Sequence, residues 1–281
     1  MMYKEILFKG IQDVFEQCPG NQISKQEADY PEVAGIKLFE FPLIGIASAE
    51  DVLFSEFKTK EIIGPWHMLP TEWLASAKTV VSLFFPFTEA VKNGNRQCKD
   101  GPSPAWLYGR VEGQAYLNSY TTMFGKWLTA QGIQNCAPSI DPRFRQIVAG
   151  KNADEYDCVD ANTFASNWSE RHAAYVCGLG TFGLSKGIIT EKGMAGRFTS
   201  IIIDTEIPPN LRSYTEIYEY CTQCGACIKR CPANAISAEH GKNHKICSEW
   251  LNKMSQLHAP RYGCGLCQTK IPCESKRPKQ Q

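Results

Sequence analysis

The chain has 281 residues, is 43% hydrophobic and 21% charged, and carries a formal net charge of +1. That supplies enough apolar material for one large core or two domains, no run of eighteen apolar residues such as a membrane-crossing helix needs, and no electrostatic footprint for nucleic acid in the first 214 residues. Thirteen cysteines accompany an N-terminus in which Lys4, Glu5 and Lys9 interrupt any apolar leader, so the expectation is a cytoplasmic protein whose thiols serve metal or catalysis rather than disulfides.

Taken in chain order, residues 2–17 show helical spacing, with Ile6, Leu7, Ile11, Val14 and Phe15 on one face. Residues 35–41 and 43–47 read as strands, 53–57 as a short helix, and 73–77 as a helix leading into a buried strand over 79–87. Residues 94–105 are rich in Gly, Pro and polar side chains and read as a loop. A long helix is expected over 113–131, with Tyr116, Tyr120, Phe124 and Trp127 as core. A further helix over 169–177 is capped by Ser169, and strands follow at 188–190 and 198–204. The sum is a mixed α/β domain. Pro208, Pro209 and Asn210 then mark a boundary, giving domains at 1–212 and 213–281.

The second domain holds eight of the cysteines. Cys221-x2-Cys224-x2-Cys227-x3-Cys231-Pro232 is the bacterial ferredoxin run, in which three closely spaced thiolates wrap one cube and the fourth serves the other cluster. Cys247, Cys264, Cys267 and Cys273 complete two sets. Cys221, Cys224, Cys227 and Cys273 hold one [4Fe–4S] cluster; Cys231, Cys247, Cys264 and Cys267 hold the other. A four-cysteine zinc site is the alternative, but it needs neither the third cysteine at x2 nor the x3-Cys-Pro. From residue 215 onward ten basic side chains face five acidic ones. Two oxidised cubes at roughly −2 apiece nearly cancel that surplus. The tail Lys276-Arg277-Pro278-Lys279 reads as a solvated end.

Gly178-Leu179-Gly180-Thr181-Phe182-Gly183 satisfies G-x-G-x-x-G. A dinucleotide fingerprint follows a strand and opens a helix, whereas here a helix precedes and strands follow, so the glycines read first as a helix stop. They also let a flat or bulky ligand approach bare backbone.

Two segments resemble the family of epoxyqueuosine reductases and reductive dehalogenases: Arg261-Tyr262-Gly263-Cys264-Gly265-Leu266-Cys267-Gln268, and Glu170-Arg171-His172-Ala173-Ala174-Tyr175-Val176-Cys177-Gly178-Leu179-Gly180. Residues 73–82 and Leu107-Tyr108-Gly109-Arg110 extend the likeness. The resemblance implies an α+β architecture: a nitroreductase-like α/β domain binding base-off cobalamin, then a small ferredoxin-like domain feeding it electrons. It implies reductive removal of oxygen or halogen, with Tyr108, Gly178, Leu179, Gly180, Gly183 and Lys186 at the cofactor and Asp160 as proton donor. Tyr156 and Tyr175 are other candidate donors. Lys186 stands three residues after Gly183, where the family has a lysine directly after the glycine, and Cys267-x5-Cys273 is longer than the usual spacing. The family's carboxyl-terminal helical repeats have no counterpart in these residues. The expected substrate is a small molecule or modified nucleoside, with little support for nucleic acid, and the expected donor is a low-potential ferredoxin or flavodoxin. The alternative is an electron carrier that reduces a partner such as a corrinoid protein; a flavin-linked reductase is a third reading.

Overall fold

The computed structural model describes residues 2–26, 28–148, 156–160 and 163–279. Helix α1 (Met2–Gln17) lays Leu7, Ile11 and Val14 into the core. Strand β1 (Leu43–Ser48), helices α2 (Val52–Glu56) and α3 (Pro70–Trp73) and strand β2 (Thr79–Pro86) follow. Helices α4 (Glu89–Gln97) and α5 (Pro104–Ala130) come next, then short strands β3 (Asn135–Cys136), β4 (Gln146–Val148) and β5 (Phe164–Ser166). Helix α6 (Glu170–Val176) enters the hairpin β6 (Gly180–Phe182) and β7 (Ile188–Thr190), and β8 (Gly196–Ile203) closes the main sheet. The cysteine-rich segment holds α7 (Ala226–Lys229), the two-residue strands β9 (Ile236–Ser237) and β10 (Gly241–Lys242), and α8 (His244–Leu257).

The main sheet is antiparallel in the order β1-β2-β8-β3, with Val81 opposite Ile46 on one side and Ile201 on the other. Every residue of β2 is buried, because helices and loops cover both faces. Val81, Leu83 and Phe85 pack with α1 and α5, while Val80 meets Trp73, Trp168 and Ile202 on the opposite side. Each such aromatic or aliphatic side chain contributes about 1.5–3 kcal/mol by leaving water, which explains the unbroken apolar run. Among the described residues no helix is long and apolar enough to cross a membrane.

Four local expectations change. Residues 35–41 form no strand beyond single bridges at Lys37 and Phe39. The Asn21 side chain takes the strand partner's place, accepting from Phe39 N at 2.9 Å and donating to Phe39 O at 3.1 Å. The helix expected at 73–77 lies earlier, at Pro70–Trp73, because the Glu72 carboxylate accepts from Leu69 N (2.6 Å) and anchors its first turn. The expected loop over 94–105 contains the last turns of α4, and α5 starts at Pro104, with Ser103 Oγ accepting from Trp106 N. Strands β3, β4 and β5 had no signal, being two or three residues long.

The glycine motif behaves as a stop and a hairpin. Helix α6 begins at the Ser169 cap and ends before Gly178, which adopts φ +82°. A Cβ on Gly180 would stand 2.0 Å from the Ile189 carbonyl oxygen across the hairpin. Gly180→Ala is therefore expected to cost about 3 kcal/mol or more, seen as a lowered melting temperature. A variant melting with the parent would show that the hairpin opens freely.

Candidate functional site

The cysteine segment builds two thiol sets from a repeated device. In Cys224-Gly225-Ala226-Cys227 and Cys264-Gly265-Leu266-Cys267 the glycine is left-handed, at φ +71° and +66°, and opens a single helical turn that brings the second sulfur back toward the first. Cys221, Cys224, Cys227 and Cys273 line one cavity, whose remaining wall includes Gly183, Leu184, Ile189, Met194 and Ile271. Burial pushes the Cys227 thiol up to about 11 and Cys273 up to about 12; Cys267, Cys221 and Cys224 add to the first, and Cys227, Cys221 and Cys224 to the second. Cys264 rises to about 11 for the same first reason, with Cys267, Cys247 and Cys231 as its neighbouring thiols. Metal ligation must displace these protons, since the thiolate is the ligand. Among the described residues no three Cys, His, Asp or Glu side chains converge on a single-ion site.

This module is seated on α4 and α5. Arg230 donates to the carbonyls of Cys98 (2.8 Å), Asn95 (3.0 Å) and Thr269 (3.2 Å). Asn95 Nδ2 donates to Cys264 O and Thr269 Oγ1, Met194 N donates to Cys273 O, and the Trp106 ring fills the space a Cβ on Gly265 would need. Arg96 pairs with the buried Glu274 next to Cys273.

A cleft of about 550 Å³ opens beside the module. Trp66, Phe164 and Phe182 form apolar wall; Asp160, Arg171, His172, Lys186 and His244 bring charge and polarity. Asp160 is exposed at this lining, with its backbone N donating to Thr163 Oγ1 and its Oδ1 accepting from that hydroxyl. Lys186 adopts φ +57°, and its carbonyl accepts from Arg171 at 2.6 Å. Burial, then Arg171 and Lys242, depress its ammonium pKa. Burial also drives His172 and His244 to about 3, so both imidazoles are neutral near pH 7; His244 stacks on Phe164. Burial, then the charge of Arg110, lowers the Arg171 pKa, with Cys267 and Cys247 opposing that shift. Arg197 joins that group, lowered to about 9 by burial and then by Arg110; its Nη2 donates to Gln114, while its buried Nε has no partner.

Of the residues expected at the cofactor, Lys186 shares the cleft with Asp160, and Gly183 borders the first thiol cavity. Gly178 and Gly180 shape the α6 stop and the hairpin, and Leu179 packs with Phe84 and Ala174. Tyr108 lies elsewhere: it is buried under the Arg261 guanidinium at 3.7 Å, and its hydroxyl accepts from Asp29 N at 2.7 Å. Cys177 is buried with its thiol toward Val80 O, away from the cleft. Tyr175 Oη donates to Thr215 O, whereas Tyr156 packs against Trp66. Sequence reading missed Arg171, Arg197 and His244 as site residues. Arg171 stood inside the quoted motif, but nothing in spacing connects it to residues seventy positions on.

Residues 214–237 match the family of 4Fe-4S binding domains, which supports at least one such cluster. No curated protein matched the chain in sequence. Among solved structures the chain is similar to an epoxyqueuosine reductase with an epoxyqueuosine-modified tRNA-Tyr stem loop, at 16% identity and TM-score 0.51, covering 98% of this chain and 68% of that one. It is similar to a catabolic reductive dehalogenase at 13% identity and TM-score 0.54, covering 97% and 37%. A further reductive dehalogenase structure, one said to suggest a mechanism for B12-dependent dehalogenation, aligns at 13% identity and TM-score 0.54, covering 95% and 36%. The likeness is one of fold, the α+β fold with a ferredoxin-like segment, and it bears out the family resemblance at that level. The chain spans little more than a third of the dehalogenases.

Proposed function

We propose that this chain is a corrinoid-dependent iron–sulfur reductase that removes oxygen or halogen from a small molecule or modified nucleoside. Residues 1–212 would form the nitroreductase-like domain and 213–281 a double-cluster ferredoxin-like domain. The observation carrying this reading is one juxtaposition: His244, which lines the cleft with Asp160 and Arg171, stands about one helical turn before Cys247 of the second thiol set on α8. Electrons held by that set are then delivered next to the place where a substrate can sit.

The donor sets fit two [4Fe–4S] clusters, four thiols to each cube. A corrinoid fits less by shape than by polarity. The unpartnered Arg197 Nε and the Arg110–Arg171–Arg197 group offer donors to an amide- and phosphate-rich ligand. When bound, a base-off corrinoid supplies the low-valent metal that strongly reducing clusters can reach. The chain's own residues do the rest. Asp160 holds a proton at the cleft for the leaving oxygen or the reduced carbon. Trp66, Phe164 and Phe182 offer apolar wall against which a bound ligand can shut water from that proton, and the neutral His172 and His244 add no competing acid near pH 7.

The test is anaerobic purification, reconstitution with iron and sulfide, addition of cobalamin, and metal analysis after desalting. About eight irons with stoichiometric cobalt and a base-off visible band are expected. Full iron with no cobalt would overturn the corrinoid enzyme and leave an electron carrier or flavin protein.

A further inference from the structure

The basic tail does not behave as a free end. Pro278 is buried and lines the first thiol cavity, and the Arg277 guanidinium lies 3.5 Å over the Tyr220 ring, one residue before Cys221. Lys276, Arg277 and Lys279 are thereby pinned at the lip of that cavity, all exposed. Lys229, two residues after Cys227, and Lys270, three before Cys273, are exposed as well. Glu274, the one acid in residues 268–279, is buried against Arg96, and residues 221–232 contain no acid. The acids Glu216 and Glu219 lie on the approach to Cys221, with Glu219 Oε2 already accepting from Thr215 N and Glu216 N.

The two thiol sets also differ in exposure. Of the eight cysteines only Cys224, in the first set, is exposed. Exposed lysines do little to balance a cluster's charge, because water and salt screen them over about 8 Å. That balance falls to Arg230 and Arg171, which are tied to carbonyls beside the thiol sets. Five solvated cations around the one exposed ligand have another use: they steer and orient an anionic protein.

We infer that the lip formed by Lys229, Lys270, Lys276, Arg277 and Lys279 is the docking surface for a small acidic electron-carrier protein, which reduces the Cys221–Cys224–Cys227–Cys273 cluster first. One electron passes from the reduced carrier to the oxidised cluster at each encounter, with no bond made or broken. The inference rests on the proposed reductase only in that the clusters take electrons from outside.

The experiment reads cluster bleaching in the reconstituted full chain, without substrate or cobalamin, so a missing corrinoid leaves it interpretable. Anaerobic stopped flow with reduced flavodoxin as the acidic carrier is compared with photoreduced deazaflavin, at several salt concentrations. Expected is a flavodoxin rate that falls steeply with salt and drops about tenfold or more in a Lys276→Glu/Arg277→Glu/Lys279→Glu variant. Iron content and the deazaflavin rate stay unchanged, and Lys126→Glu, on a distant exposed face of α5, has no effect. A salt-independent rate, or one equal in the triple variant, overturns the proposal. Equal slowing with both reductants would mean that the charges tune the cluster, and overturns it too. So does tRNA binding at this lip, lost in the triple variant, with no flavodoxin dependence.

Discussion

Cys273→Ser is expected to leave about four irons per chain, roughly half the parent content, and to abolish reduction of the remaining cluster by an external carrier. Cys273 lines one cavity with Cys221, Cys224 and Cys227, although it lies 46 or more positions beyond them in sequence. Cys221→Ser should therefore lose the same cluster, while Cys231→Ser and Cys264→Ser should lose the other. Low-temperature electron paramagnetic resonance of each reduced variant distinguishes them. If Cys231→Ser and Cys221→Ser removed the same signal, the four cysteines of the ferredoxin run would hold one cube by themselves and the assignment would fail. Among the thiols left behind, Cys227 is pushed up by burial, so it should reprotonate rather than rebind metal.

The second large effect is expected at Asp160. Asp160→Asn keeps the side chain's shape and its acceptor toward Thr163 Oγ1, but it cannot hold a transferable proton. Turnover should fall about 10²-fold or more, with iron and cobalt content unchanged. The carboxyl is exposed at the cleft lining, so its proton becomes retained only when a ligand covers it and removes water from the charged form. Full activity of Asp160→Asn would remove this residue from the mechanism and turn attention to the cleft's other polar groups.

Much of this was legible in the linear chain because the governing interactions are local. The Cys-x2-Cys-x2-Cys turn depends on a left-handed glycine between neighbouring ligands, and Gly225 is visible at once. The unbroken apolar run of β2 announces a strand covered on both faces, and Ser169 followed by Glu170 announces a helix start. The glycine motif could be rejected as a dinucleotide site from the order of its flanking elements alone. Helix α4 was not visible: Gly94 and three polar residues around it dilute its apolar face, and its helical state is held by contacts with α5 and with the cysteine segment, through Asn95 and Arg96.

The cleft belongs to the same class. Asp160, Arg171, Lys186 and His244 lie on four separate stretches, and no periodicity links them; packing of the hairpin against α6 and stacking of His244 on Phe164 bring them to one lining. Tyr108 shows the converse, since a favourable neighbourhood in sequence placed it near a ligand while the fold directed its hydroxyl to Asp29 and its ring beneath Arg261. The Cys-x2-Cys units stand out in sequence because thiolates so closely spaced reach one cube. Which side chains share a cleft, and which cysteine of a cluster meets solvent, follow from burial and close packing, which act between residues far apart in the chain.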